Sequence, residues 1–572
     1  MAYNLLLGGA AGQGIDTTAA ILEKLLKRSG YYVFTLRDFM SRIRGGHNFT
    51  QIRFGDRPLA SHADILDGIV ALDGETITRH IGQLKPDGFI LCDDLVATED
   101  PRVLRLPMAA IAKRLGNPRV AGNIAAGALM RLFGEPLDAD AVASVLRDFV
   151  KVDFLEINRA AFAAGFAAVT PRFDRRPGDA AGHMILTGSK AMGLGALAAG
   201  IRFYSAYPMS PSTAVMEYLA SKSLEAGVVV EQAEDEISAI NMVIGASYAG
   251  VRAMTSTSGG GFSLMVEALG LAGITEIPLV VADVQRPGPA TGLPTRTEQS
   301  DLSFVLTAAQ GEFPRMVTAV RHHTDVYRQT IRAFDLAERY QIPVILLSDQ
   351  YLADASATVP PFEVPEIRLP AEAMADILAS VEAETGDGEY LRYRITESGV
   401  SPRLLPGKSR HLVIIDSDEH EELGIITESA DVRRAMVDKR MRKLDGLTAE
   451  LEEPDWIGPE GATEASPDVL LLGWGSLWGP LTEAVGLLND DAGPRFGALV
   501  FGDLSPLPAR RLAALAAGAG RIVNVEQNAT GQLARLIREQ TGIACAASIL
   551  KYDGRQLSGE EIADRIRKEA LS

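Results

Sequence analysis

Two stretches decide the fold and the chemistry that this sequence predicts: Tyr207-Pro208-Met209-Ser210-Pro211-Ser212-Thr213 and Val230-Glu231-Gln232-Ala233-Glu234-Asp235-Glu236. The first predicts a rigid turn lined by hydroxyl groups, because proline fixes the backbone angle φ at two of its positions. The second predicts the acidic start of a helix, since carboxylates in a first turn interact favourably with the helix dipole. The chemistry predicted from the pair depends on its last acid, Glu236.

Glu236 is predicted to lie on the apolar face of the helix that it begins. Ile240, Val243 and Ile244 come after it at the spacing that places side chains on one helix face. A carboxyl group among apolar neighbours has a raised pKa and keeps or shares its proton, so Glu236 is a candidate cofactor-activating acid. The alternative is a partly exposed first-turn acid that only stabilises the helix.

Composition and charge disfavour several functional classes. The chain of 572 residues has a net charge of −18, which disfavours nucleic-acid binding because phosphate recognition needs basic patches. Cys92 and Cys545 are its only cysteines, and they form no CxxC spacing. This chain alone therefore cannot build an iron–sulfur cluster or a zinc–thiolate site, and we expect no metal site in it.

The sequence favours a cytoplasmic location. The N-terminus passes directly into a strand-like segment at residues 3–7, without the pattern of a signal peptide. No apolar run is long enough to span a bilayer. The low cysteine content fits a reducing compartment.

The N-terminal region contains two glycine turns. The first, Gly8-Gly9-Ala10-Ala11-Gly12-Gln13-Gly14, joins an apolar strand to a helix, an arrangement that aims backbone N–H groups at an anion. Gly12, Gln13 and Gly14 are therefore candidates for binding a phosphorylated ligand or for an interface with another chain. An NAD site is disfavoured, because no acid ends the next predicted strand at residues 32–36.

The second turn contains Arg44, Gly45 and Gly46. Arginine beside glycine suits a phosphorylated ligand or an interface with another chain. A basic surface turn is the alternative.

The alternation of strands and helices predicts an α/β protein of three domains. We expect an N-terminal α/β domain at 1–175 and a doubly wound domain at 183–355. A charged connecting arm with a surface helix comes next at 356–465, and a third α/β domain at 466–572. The apolar strand at 279–282 is typical of a parallel sheet that is covered on both faces.

Two further segments are candidate binding elements. Arg286 lies after that apolar strand, at its carboxyl end, where open α/β sheets bind ligands. Ser258, Gly259 and Gly260 lie after another strand, and glycine there allows close approach of the backbone to a cofactor. A tight helix start without any ligand is the alternative for that segment.

Together these residues resemble the α subunit of the 2-oxoacid:ferredoxin oxidoreductases, with the family's γ domain fused at the N-terminus. The resemblance is carried by the two glycine turns, by the stretches quoted first, by Gln285-Arg286-Pro287-Gly288-Pro289-Ala290-Thr291-Gly292-Leu293-Pro294-Thr295, and by Gly473-Trp474-Gly475-Ser476 with Asn524-Val525-Glu526-Gln527-Asn528. It covers nearly the whole chain and implies a γ-type domain, a pyrimidine-binding domain and a transketolase C-terminal-like domain. The Glu-Asp-Glu and Gly-Pro-x-Thr-Gly forms are most similar to the 2-oxoglutarate enzymes.

The resemblance implies a thiamine diphosphate enzyme that converts 2-oxoglutarate, coenzyme A and oxidised ferredoxin into succinyl-CoA, CO₂ and reduced ferredoxin. It places Glu236 at the cofactor's aminopyrimidine, with Tyr207, Pro208, Ser258, Gly259 and Gly260 beside the cofactor. Ser210 stands where relatives carry threonine and would hydrogen-bond the substrate. Arg286 would hold the C1 carboxylate. Arg296 would reach the distal carboxylate or pair with Glu298.

The resemblance also implies a partner, because the Gly-Asp-Gly at residues 386–388 has no asparagine close after it in the sequence to complete a site for a magnesium-bound diphosphate. A β subunit would hold the diphosphate, Mg²⁺ and a [4Fe–4S] cluster, in an (αβ)₂ heterotetramer that reduces ferredoxin. The alternatives are the same chemistry on pyruvate or branched 2-oxoacids, a nucleotide-dependent dehydrogenase, and a non-catalytic subunit for coenzyme A binding or assembly.

Overall fold

A computed structural model of the chain describes residues 2–39, 46–386, 388–459, 467–490 and 493–570. The chain forms two compact units. The first consists of Met1–Thr187, Asp354–Phe362 and Ser558–Glu561, and the second of Gly188–Ala353, Glu363–Leu557 and Ile562–Ser572. None of the described helices combines the length and apolar character that a membrane span requires.

Residues 2–187 contain both strands and helices, as predicted for an α/β domain, although several strands and several helices follow one another directly. The strands are β1 (Ala2–Ala10), β2 (Tyr32–Asp38), β3 (His47–Gly55), β4 (Leu66–Ala71), β5 (Leu84–Cys92), β6 (Val103–Arg105) and β7 (Met184–Thr187). The helices are α1 (Ile15–Arg28), α2 (Gly74–His80), α3 (Met108–Arg114), α4 (Ala121–Leu132), α5 (Ala139–Arg147) and α6 (Leu155–Ala167).

In residues 188–362 helices and strands alternate along the chain. The strands are β8 (Phe203–Ala206), β9 (Val229–Gln232), β10 (Ala253–Thr257), β11 (Leu279–Gln285), β12 (Met316–Ala319), β13 (Pro343–Asp349) and β14 (Ser356–Val359). The helices are α7 (Gly188–Ala198), α8 (Thr213–Ala226), α9 (Glu236–Tyr248), α10 (Gly259–Ile274), α11 (Leu302–Thr307), α12 (His323–Tyr340) and α13 (Gln350–Asp354).

Residues 363–570 contain the remaining elements. The strands are β15 (Asp455–Ile457), β16 (Val469–Trp474), β17 (Phe496–Phe501), β18 (Asp503–Ser505), β19 (Arg521–Glu526) and β20 (Ala547–Leu550). The helices are α14 (Pro370–Thr385), α15 (Ala430–Ala449), α16 (Trp478–Asn489), α17 (Arg510–Ala516), α18 (Gln532–Thr541) and α19 (Gly559–Arg565).

The sheet of the first unit has the strand order β6-β5-β4-β1-β3-β2-β14-β7. One detail predicted from the sequence was wrong: the strand expected to end at residue 36 extends to Asp38, so an acid does end it. However, β3 pairs antiparallel with both β1 and β2 and so separates them. The first two strands of a dinucleotide-binding unit lie side by side, so this topology also disfavours an NAD site.

The predicted domain boundaries at 175–183 and at 355 do not coincide with the edge of this sheet. Strand β7 lies beyond the first boundary and strand β14 beyond the second, and both belong to the sheet. β14 pairs antiparallel with β2 and with β7. The predicted division of the chain into domains at 1–175, 183–355, 356–465 and 466–572 therefore stays a proposal.

The second unit contains a doubly wound sheet with the order β18-β12-β13-β11-β10-β8-β9. The strands from β12 to β9 pair in parallel, and only the edge strand β18 is antiparallel. Every residue of β11 is buried, as expected of a strand covered on both faces. This confirms the α/β class and the predicted parallel sheet.

A smaller sheet in the same unit has the order β15-β17-β16-β19-β20. Four of its strands are parallel, and β15 is antiparallel to β17. Its strands β16, β17, β19 and β20 lie in the range 466–572 that was predicted as a third α/β domain. The third α/β region is thus confirmed as a sheet with its own apolar core.

The prediction of a surface helix in the segment 356–465 was wrong for one face of α15. Lys439, Arg440 and Lys443 on this helix are buried, because they pair with buried or half-buried acids. Charge alone predicted exposure, whereas pairing permits burial.

Candidate functional site

The candidate residues of the second unit meet at one edge of the doubly wound sheet. The strands β11, β10, β8 and β9 are neighbours in that order and run in parallel. Their carboxyl ends lead to Arg286, Ser258, Tyr207 and the acidic start of α9. Carboxyl ends of parallel strands share an edge, which is where open α/β sheets bind ligands.

Glu236 is the first residue of α9, and its side chain is buried with an exposed fraction of 3%. Asp235 caps the helix by accepting a hydrogen bond from the Ser238 N–H at 2.8 Å. The buried face of α9 contains Ile240, Val243 and Ile244, as predicted. The alternative of a partly exposed first-turn acid is therefore wrong.

The Glu236 carboxyl is buried with only partial compensation. Its Oε1 atom has no hydrogen-bond partner among the described residues. Burial raises its pKa and Asp235 adds to the increase, while a hydrogen bond from its own backbone N–H and the positive charge of Arg286 oppose it. A buried acid without a partner favours its protonated form, which can donate a hydrogen bond.

Gly261 keeps the space beside this carboxyl open. A Cβ atom at residue 261 would collide with the Thr257 hydroxyl and with Glu236 Oε1. The glycine thus allows the first turn of α10 to approach the acid closely.

The side chain of Arg286 contacts the backbone of Ser210 in the turn after β8. Arg286 Nη1 donates a hydrogen bond to the Ser210 carbonyl oxygen at 2.5 Å. The turn itself is closed by hydrogen bonds from the Met209 and Thr213 N–H groups to the carbonyls of Tyr207 and Met209. Ser212, and not Ser210, occupies the N-cap position of α8.

The predicted cofactor residues surround the same edge. Ser258 is fully buried at the N-cap position of α10, and its hydroxyl has no partner among the described residues. Gly259 begins the helix and Gly260 is exposed beside it. Tyr207 is 39% exposed and Pro208 is half-buried, so both are accessible to a ligand.

The loop after β11 folds back on itself and is anchored on the smaller sheet. The Leu293 N–H donates to the Pro287 carbonyl at 3.0 Å. Arg296 donates to the Thr295 carbonyl at 3.3 Å and packs against Gly554. Gln299 donates from its side chain to the Trp474 carbonyl at 3.0 Å. The loop that carries both candidate arginines is therefore held in place by the C-terminal region.

Two acids of this site could not be singled out from the sequence. Asp283 on β11 is fully buried, and neither carboxyl oxygen has a hydrogen-bond partner in the described chain. Asp301 precedes α11, and its carboxyl group lies against Gly259. An acid inside the apolar run of β11 was the available signal for Asp283. The position of Asp301 directly before a helix is typical of an ordinary N-cap.

The first glycine turn of the N-terminal region is exposed and shaped by glycine. Gly12 and Gly14 have φ values of 90° and 79°, which disfavour other residues. Gln13 closes the turn, because its side chain accepts a hydrogen bond from the Ala10 N–H at 2.8 Å. The Gly46 carbonyl accepts from the Ala11 N–H at 3.2 Å, so Gly46 lies beside this turn. Arg44 and Gly45 lie outside the described residues.

Two family models match the chain. The family described as "Pyruvate ferredoxin/flavodoxin oxidoreductase" matches residues 4–168. The family described as "Pyruvate flavodoxin/ferredoxin oxidoreductase, thiamine diP-bdg" matches residues 194–398, which include the site built above.

Curated relatives and a solved structure match along nearly the whole chain. A 2-oxoacid:ferredoxin oxidoreductase subunit alpha from a Sulfolobus species is 32% identical, with 99% of this chain and 97% of the relative covered. The 2-oxoglutarate oxidoreductase subunit KorA of Mycobacterium tuberculosis is 30% identical, with 98% and 90% covered. The 2-oxoglutarate:ferredoxin oxidoreductase of Magnetococcus marinus, solved with 2-oxoglutarate, coenzyme A and succinyl-CoA bound, superposes with a TM-score of 0.89 at 32% identity and 99% coverage of both chains.

Proposed function

The chain belongs to the 2-oxoacid:ferredoxin oxidoreductase α subunits, and from that premise we propose that it acts on 2-oxoglutarate. The reaction would convert 2-oxoglutarate, coenzyme A and oxidised ferredoxin reversibly into succinyl-CoA, CO₂ and reduced ferredoxin. The observation that carries the proposal is the buried Glu236, whose Oε1 has no hydrogen-bond partner in the described chain, at the sheet edge that also holds Arg286 and Ser210. The similarity to the Magnetococcus marinus enzyme supports this substrate over pyruvate or branched 2-oxoacids.

The residues at the sheet edge fit thiamine diphosphate. Glu236 Oε1 and the Ser258 hydroxyl are buried polar atoms without partners in the described chain, and a polar ring could satisfy them. Glu236 would hold the aminopyrimidine ring, with Tyr207, Pro208, Gly259 and Gly260 beside it. The bound cofactor would supply the nucleophilic carbon and the electron sink that 2-oxoacid decarboxylation needs.

Glu236 would act by holding a proton at Oε1. Burial favours the protonated carboxyl group, and a protonated acid can donate a hydrogen bond to a ring nitrogen. The neutral amide of a Glu236→Gln variant could also donate, but it could not exchange a proton.

Arg286 and Ser210 would bind the substrate. A guanidinium group matches a carboxylate in bidentate geometry, so Arg286 would hold the C1 carboxylate. The Ser210 hydroxyl would hydrogen-bond the same end of the molecule. Arg296, on the anchored loop, would bind the distal carboxylate that distinguishes 2-oxoglutarate from pyruvate.

The N-terminal glycine turn would bind a phosphate of coenzyme A or form an interface. Gly12, Gln13 and Gly14 precede the 14-residue helix α1, whose N-terminus attracts anions. Gly46 lies beside the turn; Arg44 and Gly45, which the sequence predicts for a phosphate or interface site, lie outside the described residues.

A β subunit would complete the enzyme. Two cysteines are too few for a [4Fe–4S] cluster, which needs four ligands, so the partner would hold this cluster together with Mg²⁺. Ile237, Met242 and Leu264 are exposed apolar side chains on α9 and α10, and they form a candidate contact surface beside Glu236. Two αβ pairs would assemble in the cytoplasm as an (αβ)₂ heterotetramer and reduce ferredoxin.

Co-expression with the candidate β subunit tests the proposal. We expect CoA-dependent reduction of a viologen dye with 2-oxoglutarate, only when both chains are present. Activity with pyruvate alone would keep the reaction type and overturn the substrate. A complex that contains thiamine diphosphate but oxidises none of these 2-oxoacids would favour the alternative of a non-catalytic subunit for coenzyme A binding or assembly.

A matched pair of variants tests the contact surface. Ile237→Asp is expected to reduce recovery of the tagged β subunit, because a charge would be buried in the interface. Leu224→Asp is the control, since Leu224 on α8 is fully exposed. Equal recovery of both variants would exclude this surface from the contact.

A further inference from the structure

A cavity of about 730 Å³ lies in the second unit, at the sheet edge opposite to the one that carries Glu236. It is lined by α12, by the first half of α14 and by the segments 365–368 and 400–405. Arg252 and Gln341 also line it, and they come just before the parallel strands β10 and β13. Its volume lies in the range of small-molecule sites, about 300–1,000 Å³.

Arg252 is a buried cation in the wall of this cavity. It is only 6% exposed. Its Nη1 donates a hydrogen bond to the Ala199 carbonyl oxygen at 2.8 Å, just beyond the end of α7. Its Nε–H is buried without a partner among the described residues, and no ion pair joins it to an acid in the described part of the chain. A buried guanidinium needs a counter-charge, so the bond to one carbonyl does not account for this residue.

The other charged groups of the wall do not supply that counter-charge. Five further arginines line the cavity and each is ion-paired with an acid: Arg328, Arg332, Arg339, Arg368 and Arg403. The lining acids Asp335 and Glu338 pair with two of these arginines, at 2.8 and 2.7 Å. Glu366, the third lining acid, is exposed. The charges of Glu338 and Asp335 offset only part of the decrease that burial causes in the pKa of Arg252.

The rest of the wall is largely apolar. Ile331 on α12, Ile377 on α14, Ile367 and Leu405 all line the cavity. Leu405 and Ile377 belong to one apolar cluster of the second unit. The wall therefore combines one unpaired guanidinium with a surface that favours an apolar ligand body.

We propose that this cavity binds an apolar monocarboxylate of medium chain length, with the carboxylate on Arg252 and the chain against the apolar wall. A guanidinium matches a carboxylate in bidentate geometry, and one unpaired cation balances one negative charge. A phosphate monoester carries about two negative charges at neutral pH, and the second would lie in a wall that already contains Asp335 and Glu338. This site is separate from the proposed catalytic one, since the two lie at opposite edges of the sheet.

Calorimetric titration of the co-purified α–β complex with octanoate tests the proposal. We expect one octanoate to bind per chain, with an affinity that Arg252→Gln lowers at least tenfold, because a charge-assisted pair is lost. Arg252→Lys keeps the charge without the bidentate geometry and should lower the affinity less. Arg434→Gln is the control, because Arg434 on α15 is 77% exposed, and it should leave the affinity unchanged.

Other ligands separate this site from the catalytic edge and a carboxylate from a phosphate. Acetate, which has the charge without the chain, should bind at least tenfold more weakly than octanoate. Excess 2-oxoglutarate should not displace octanoate, and Arg286→Lys should not weaken it. Displacement by 2-oxoglutarate would place octanoate at the catalytic edge and overturn the proposal. Tighter binding of adenosine monophosphate that depends on Arg252 would overturn the carboxylate as the ligand.

A variant of the apolar wall provides a second measurement, because Arg252→Gln also removes the hydrogen bond to Ala199. Ile331 is half-buried, and Ile331→Ala should lower the octanoate affinity about three- to tenfold through lost apolar contact. Unchanged affinity in this variant, or no octanoate binding to the unmodified complex, would overturn the proposal. Neither result depends on turnover of a 2-oxoacid, so the proposed function is tested separately.

Discussion

The two ends of α10 carry opposite kinds of buried charge. The helix has 16 residues, about 24 Å at 1.5 Å per residue. At its start lie Glu236, Asp283 and Asp301, each with at least one buried carboxyl oxygen that has no hydrogen-bond partner in the described chain. Just beyond its end lies Glu276, which is fully buried but ion-paired at 2.5 Å with both Lys439 and Lys443.

At the end with Glu276 both carboxyl oxygens are ion-paired with lysines, although Oε2 makes no hydrogen bond to the described residues. Arg392 adds a hydrogen bond to the Glu276 carbonyl at 2.8 Å. The two lysines and Arg392 lower the Glu276 pKa to about 2, overcoming its burial. The start of the helix lacks such partners among the described residues, and burial raises the pKa of its acids. We therefore propose that the ion-paired cluster stabilises the fold, whereas the acids at the helix start serve binding and chemistry.

The largest effect is expected from Glu236→Gln. Turnover in the α–β complex should fall by about a thousandfold, because the amide cannot exchange a proton. The melting temperature should not fall, because the variant removes an unpartnered buried carboxyl. The measurement is dye reduction together with thermal unfolding. Retained activity would contradict the role of Glu236, and a large loss of stability would contradict the comparison.

Glu276→Gln should show the reverse pattern. It leaves Lys439, Lys443 and Arg392 buried without their counter-charge, and breaking such a cluster costs about 3–5 kcal/mol of unfolding free energy. Urea unfolding of the purified chain measures the loss, with Glu312→Gln as an exposed control. A loss below about 1 kcal/mol would mean that the cluster contributes little to stability.

Substitution of one arginine at each end of α10 tests the same comparison, and we expect smaller effects from these variants. Arg286→Lys should raise the KM for 2-oxoglutarate by about tenfold or more, because lysine loses the bidentate geometry. Arg392→Lys should instead lower stability by about 1–2 kcal/mol with KM unchanged, because Arg392 also donates to Gln341 Oε1 at 3.0 Å. Kinetics and urea unfolding of both variants provide the test. Equal effects on KM would remove the distinction between the two ends.

The sequence predicted the elements at the helix start better than the cluster at the helix end. Periodicity located the buried face of α9, and the apolar run of β11 predicted a covered parallel strand. Both patterns are local. The partners of Glu276 are distant in the sequence and become neighbours only in the fold, so the charged residues of α15 looked like a surface helix.

Asp301 illustrates a second limit of the sequence. Its position before a helix is typical of an N-cap, and only the structure places its carboxyl group against Gly259. Similarly, the strand of the first unit that ends at Asp38 was predicted too short. Its separation from β1 by β3 could not be predicted, because strand order depends on long-range pairing.

The smallest predicted effect concerns the pH dependence of stability, which should differ between the acids at the two ends of α10. The pKa of Asp301 is raised to about 6, so its favourable contribution is present below its unfolded pKa of about 4 and is lost as pH rises through 6. The melting temperature of Asp301→Asn, relative to the unmodified complex, should therefore rise by about 1–2 °C between pH 4.5 and 7.5.

Folding shifts the pKa of Glu276 in the opposite direction. Its folded pKa is about 2, so its contribution is fully present above its unfolded pKa of about 4.5 and is lost only as pH falls towards 2. Glu276→Gln should consequently melt below the unmodified protein throughout pH 4.5–7.5. Differential scanning fluorimetry of both variants over this range makes the comparison. A pH-independent difference for Asp301→Asn would mean that its carboxyl is not destabilised by burial, and the contrast between the two ends of α10 would then rest on Glu236 and Asp283 alone.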